Sequence, residues 1–288
     1  MSLRRSIKRP SPSDRLYDAL FKGRTEESVV QTISCGIEAL CANARRLFDD
    51  AKILTGEGRF ATARFLLATV DEEAGKVYIL LDMARLDFSK HLGELSKLCR
   101  AFYSHLLKHA YIEVTRWKPF NETWDLYSVQ GIFDMSRKEY WEASFASGEP
   151  AMPSDHLINR EGSLYVDFFS EGDELWWIPD NKHSAEGVTG LAQFRSGGAL
   201  DDAERSLLRL EEAEKNGLFR PTSLGIFHQV FSKSPMPCLQ TSRQRLDDIY
   251  DRVFQRLQKE GINLGQRCRT DNALVGWPLY PLISKEAN

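Results

Sequence analysis

The stretch Arg100-Ala-Phe-Tyr-Ser-His105-Leu-Leu-Lys108-His109 gathers a guanidinium, two imidazoles and an ammonium within ten residues. Arginine stays charged and grips phosphate through a planar fork. Histidine, with an ordinary pKa near 6.5, takes or gives a proton at neutral pH. Together Arg100 and His105 have the chemistry for breaking a phosphodiester. Their spacing sets a constraint. On one straight helix of 3.6 residues per turn they point about 140° apart, so a shared cleft needs a bend, long reach, or a second copy of the chain across a two-fold axis. The alternative is that both complete a polar network inside a helical bundle and do no chemistry.

His105 and His109 also have the i, i+4 spacing of a metal pair. No Glu-x-x-His or His-Glu-x-x-His accompanies them, and the other histidines (91, 156, 183, 228) form no ligand-spaced pair. No metal site and no cofactor are expected. Gly75-Lys76 lies mid-helix, where the backbone donors are already used, so it is no phosphate loop. Trp176-Trp177 suits either a base-stacking platform or the packing of a hairpin.

The preceding helical stretch carries carboxylates. Its apolar stripe runs Ala63, Leu66, Val70, Glu73, Val77, Leu80, Ala84, with Glu73 where a hydrophobe is expected. A buried carboxylate must be paired or protonated, and Asn43, Arg100 and His105 are the candidate partners. Glu72 and Lys76, four apart, read as a surface ion pair. Glu73 is then either a lock on helix register or part of a site.

Three long helices must position these groups. Ile33, Ile37, Leu40, Ala44, Leu47, Ala51 and Leu54 form one stripe, ended by Thr55-Gly-Glu-Gly58. The stripe from Ala63 follows after a short link, which makes an antiparallel hairpin. A third helix is expected over 88–115, closed before Pro119. Short helical pieces such as Ser136–Phe145 then precede a loop. Two β-prone runs around Glu171-Gly-Asp173 predict a hairpin near 163–179. Further helices are expected at 201–216, at 223–231 and at 242–260, the first with Asp201 and Asp202 at its positive end and Gly217 at its stop. The fold class is mainly α: an antiparallel helical bundle with a small inserted β-hairpin and a C-terminal helical extension.

The chain of 288 residues allows one large domain or two modest ones. Net charge is −3, so this is not a polycation built to coat nucleic acid. Five cysteines, none in a Cys-x-x-Cys pair, fit a reduced, cytoplasmic chain better than a disulfide framework. No apolar run approaches the roughly 20 residues of a membrane helix. The division expected is a basic, flexible arm over 1–28, a helical domain over 29–216, and an extension of unassigned role over 217–288.

Four segments in order, "NARRLFDDAKIL", "GRFATARFLLATVDEEAGK", "FYSHLLKHA" and "LYVDFFSEGDELWWIP", resemble the AbiV-type abortive-infection proteins of the HEPN superfamily over about residues 33–216. The resemblance implies a cytoplasmic phage-defence protein, and many HEPN domains are dimeric, metal-independent ribonucleases. It assigns Arg100 to phosphate binding and His105 to proton transfer, in an Arg-x4-His pair. Glu72, Glu73, Lys76, Lys108, His109 and Asn43 are the supporting residues expected around that pair. Ala101 stands where such nucleases often carry a polar residue. RNA is the implied substrate. The competing class is a non-catalytic interaction protein that binds a phage or host component, such as the translation machinery, and so arrests growth.

Overall fold

The structure is a computed structural model that describes residues 10–116, 126–141, 152–153, 160, 167–171, 174–178, 196–237, 243–262 and 278–284. The chain begins with α1 (Pro12–Phe21) and α2 (Glu26–Gly56). Thr25 caps α2, its hydroxyl accepting from the Ser28 amide at 3.3 Å, and Glu26 and Glu27 complement the positive end of the helix dipole. The turn to α3 (Phe60–Arg85) needs a left-handed residue, and Gly58 supplies it at φ 74°. The two helices form the expected hairpin.

α3 is the axis of the bundle, packing against α2, α4 (Leu92–Ala101), α5 (His105–Arg116), α7 (Ser196–Lys215) and α8 (Pro221–Phe231). Its second half is enclosed on all sides. Val77, Tyr78, Ile79, Leu80, Leu81, Met83 and Ala84 are all buried, so the single stripe read from the sequence describes only its first turns. Between α5 and α7 lie α6 (Leu126–Ser136) and two antiparallel pairs. The first pairs β1 (Tyr140–Trp141) with β2 (Met152–Pro153), and the second pairs β3 (Asp167–Glu171) with β4 (Glu174–Ile178). The backbone register of the second ladder pairs position 168 with 177 and 169 with 176. α9 (Arg243–Lys259) and α10 (Tyr280–Ser284) complete the described chain. Among the described residues no helix is long and apolar enough to cross a membrane.

Several expectations are corrected. The third helix is not continuous: α4 ends at Ala101, Phe102 to Ser104 form a turn, and α5 starts afresh at His105. Tyr140–Trp141, placed in a helical piece, is extended and paired, as two aromatic residues favour; the helix lies before it, and residues 142–150 fall outside the described ones. α7 starts at Ser196, so Asp201 and Asp202 sit beyond its first turn. Gly217 does stop it, at φ 72°, with the Leu218 amide donating to the Ala213 carbonyl at 2.9 Å.

The described part of the expected arm, residues 10–28, is structured. Ser11 caps α1 in a reciprocal pair with Asp14, at 3.1 and 3.0 Å. Leu20 is buried in the main core, and the rings of Tyr17, Phe21 and Phe88 follow one another at 5.4 and 5.6 Å. Residues 1–9 lie outside the described ones. The boundary at 216 also disappears, because one hydrophobic cluster runs from Leu20 through α2, α3 and α5 to Leu218, Phe227, Val253 and Ile283. The C-terminal part is a wall of the same core.

A buried polar knot ties that wall down. Asp82 accepts from Arg85 Nη1 at 2.6 Å, from the Tyr111 hydroxyl at 2.8 Å, and from the Leu279 and Tyr280 amides at 2.6 and 3.2 Å. The Arg85 guanidinium lies 5.6–5.9 Å from the ring centres of Phe227, Phe231 and Tyr250. Nothing in the sequence marked this pair, since Asp and Arg three apart on a helix read as a surface ion pair. Removing one partner of a buried pair strands the other charge. Asp82→Ala is therefore expected to destabilise the protein by about 3–5 kcal/mol, measured by urea unfolding; a loss below about 1 kcal/mol would show the knot to be dispensable.

Candidate functional site

The site forms where α5 crosses α3. A Cβ added at Gly75 would lie 2.4 Å from the Lys108 carbonyl oxygen, so only glycine admits so close a crossing. A glycine inside a helix costs about 1 kcal/mol against alanine, and here it is the contact that explains it. One turn earlier on α3 sits Glu72, and the first turn of α5 delivers His105, Lys108 and His109 over it.

Glu72 is buried and many-partnered. Both of its oxygens lie 2.8 Å from His105 Nδ1. Lys108 Nζ donates to Oε2 at 2.5 Å, Arg160 Nε stands 3.1 Å from Oε1, and His109 Nε2 lies 3.7 Å from Oε1. Burial pushes the carboxyl up, but the adjacent His109 and Lys108 outweigh it and hold it below its usual range. The Lys108 ammonium is pulled down by burial, against the pull of Glu72.

His105 is set differently. Its side chain is 49 % exposed, against 7 % for Glu72. Its Nδ1 is nearer Glu72 than Lys108 Nζ, at 2.8 against 3.3 Å, which favours the tautomer that donates from Nδ1 to the carboxylate and leaves a lone pair on Nε2. Nε2 has no hydrogen-bond partner among the described residues. Burial lowers the His105 pKa below 6.5; Glu72 opposes this, and Lys108 and Arg160 add to it. The imidazole is therefore neutral at pH 7, is held in one tautomer, and is half-exposed to solvent. This is the arrangement of a general base.

Arg100 stands at the end of α4, exposed, its side chain with no hydrogen bond or ion pair among the described residues. The turn voids the straight-helix angle between Arg100 and His105, because the two now belong to different helices. Ser104 starts α5, its hydroxyl accepting from the Leu107 amide at 3.3 Å. Ala101 is fully buried, so a polar side chain there would enter the core.

The roles expected of the two glutamates are exchanged. Lys76 pairs with Glu73 at 2.7 Å, not with Glu72, and its Nζ lies 5.5 Å from the Phe102 ring centre. Glu73 is buried as expected, but its partner is on its own helix. Asn43 accepts from Arg46 on α2 at 2.7 Å and reaches neither glutamate. His105 and His109 both turn toward a carboxylate, and no cluster of potential metal ligands occurs among the described residues. Arg160 was missed altogether. It lies 88 residues from Glu72, and no local pattern announces such a contact.

The family described as AbiV matches residues 32–195, more than half of the chain and all of the site. The chain belongs to the AbiV family of HEPN proteins. No curated protein and no solved structure matches it. The AbiV match runs from within α2 through α6, both strand pairs and Arg160, and stops just before α7. In this AbiV protein, then, α1 and the C-terminal wall lie outside the matched region yet share its core.

Two outcomes test the geometry. Gly75→Ala is expected to lose about 1–3 kcal/mol by overpacking in thermal melts, although alanine is the better helix former. The depressed Glu72 carboxyl contributes stability above its ordinary pKa of 4.5, and that contribution is lost as pH falls toward its lower folded value. The stability gap between wild type and Glu72→Gln is therefore expected to be widest near neutrality and to shrink below pH 4.5; a gap independent of pH would contradict the ionised, paired carboxylate.

Proposed function

We propose that this protein is a phage-defence factor acting in the cytoplasm as a dimeric, metal-independent HEPN ribonuclease, with Arg100 and His105 as its working pair. The observation that carries the reading is the Glu72–His105 pair: a buried carboxylate on Nδ1 and a half-exposed ring whose Nε2 is free among the described residues. AbiV membership and the Arg-x4-His spacing support it.

In this mechanism His105 Nε2 removes the proton of an RNA 2′-hydroxyl. The 2′-oxygen attacks the adjacent phosphorus and the bond from phosphorus to the 5′-oxygen breaks. That oxygen leaves with a proton from water or from an imidazolium, giving a 2′,3′-cyclic phosphate and a 5′-hydroxyl. Arg100 binds the non-bridging oxygens and stabilises the charge that grows on them. Glu72 steadies the imidazolium formed in the first step, as a carboxylate does for any base that must accept a proton. A second subunit, placed by two-fold symmetry, contributes its own pair to a common groove.

The test is cleavage of labelled RNA by purified protein. His105→Ala is expected to reduce the rate by about 10²–10⁴-fold, and Arg100→Ala to weaken it as well, with activity retained in EDTA. Because the neutral imidazole is the reactive form and its pKa is depressed, the acid limb of the pH–rate profile is expected below pH 6.5. Equal cleavage by all three proteins would end the assignment. Growth arrest that survives both substitutions would instead favour a binding role toward a phage or host component.

A further inference from the structure

We infer that Tyr103 is a stacking platform for a nucleobase beside the scissile phosphate. The inference rests on the ribonuclease reading and concerns the substrate that this site accepts.

The turn from Phe102 to Ser104 is what separates the arginine from the histidine. Its backbone is tied: the Phe102 amide donates to the Leu98 carbonyl at 2.9 Å, the Tyr103 amide to Arg100 at 3.1 Å and the Ser104 amide to Ala101 at 3.0 Å. Tyr103 projects from this closed turn and is 48 % exposed, one of few large apolar side chains so exposed among the described residues. A single exposed aromatic is ordinary. This one stands three residues after the phosphate-binding candidate and two before the base.

The ring is also held. Phe102 packs edge-on against it at 5.5 Å and 69°. Phe102 is itself half-buried against the core, with Lys76 at its face and Glu73 fixing Lys76. The stem of the platform is thus anchored to α3, the helix that also carries Glu72. A ring held in place loses little freedom on meeting a ligand, and every base offers a π-face.

Chemistry gives the platform a use. Transfer to the 2′-oxygen requires that oxygen to approach in line with the leaving 5′-oxygen, and the regular stack of an A-form duplex keeps it out of line. A nucleotide must be splayed from its neighbours, and an aromatic face is what holds an unstacked base. The platform stands on the turn that joins Arg100 to His105, so the base it holds is assigned to a nucleotide flanking the cleaved bond. A duplex, with both faces of every base covered, cannot use it.

The experiment uses the full chain carrying His105→Ala, so that RNA binds without being cut, and a single-stranded oligoribonucleotide containing 2-aminopurine, whose fluorescence falls on stacking. With Tyr103 present, binding is expected to quench the fluorophore. Tyr103→Ala is expected to lose the quenching and to weaken binding roughly 5- to 150-fold, while Tyr103→Phe keeps both. An equivalent blunt duplex is expected to bind without quenching. In the His105-containing protein, Tyr103→Ala is expected to raise KM for single-stranded RNA more than it lowers kcat. Unchanged thermal melts confirm that the exposed substitution leaves the fold intact. Equal quenching and affinity with Tyr103→Ala, in a protein whose cleavage still depends on His105, would overturn the stacking role alone. Absence of any single-stranded RNA binding by the Tyr103-containing protein would overturn this inference and the ribonuclease reading together.

Discussion

A carboxylate sealed among helices must be compensated, and the site described above is organised around meeting that requirement at Glu72. Desolvation disfavours the ionised form, while an ammonium, a guanidinium and two imidazoles favour it. The charge survives only because α5 comes close enough to supply three of those four groups, and α5 comes close only because position 75 lacks a Cβ. One missing carbon thus decides the crossing, the crossing decides which side chains meet Glu72, and Glu72 decides the tautomer of His105.

The broken third helix matters for the same reason. Had α4 and α5 been continuous, Arg100 and His105 would have faced different ways, as the sequence periodicity implied. The turn at 102–104 ends one hydrogen-bonded ladder and begins another, so the two residues take directions set by separate helices. A buried Ala101 on one side and the Ser104 cap on the other fix where the break falls.

Helix hairpin, apolar stripes and glycine stops were legible in the sequence because they depend on neighbours three and four residues away. Gly58 and Gly217 stand where left-handed backbone is required, and α7 to α9 lie close to where their stripes predicted. What escaped was non-local. Glu73 was singled out correctly as buried, but the partner of each glutamate depended on how α3 is enclosed, and α3 is enclosed on every side by segments far apart in sequence. Arg160 and the Asp82 knot lacked any local signature for that reason. The start of the chain and its C-terminal part depend on a related property: short helices such as α1 and α10 gain their stability from the surface on which they settle, which their own residues do not display.

The clasp between Asp82 and the amides of Leu279 and Tyr280 spans 197 and 198 positions of the chain. A polypeptide emerging in order from the ribosome exposes α3 long before it offers those amides. Until then Asp82 has Arg85, Tyr111 and water, and the surfaces of α4 that receive α10 stay bare. Contacts of such separation are entropically late. The bundle is consequently closed only after Leu279 and Tyr280 have emerged, and the helix bearing Arg100 acquires its final seat only once α10 is available to pack against it.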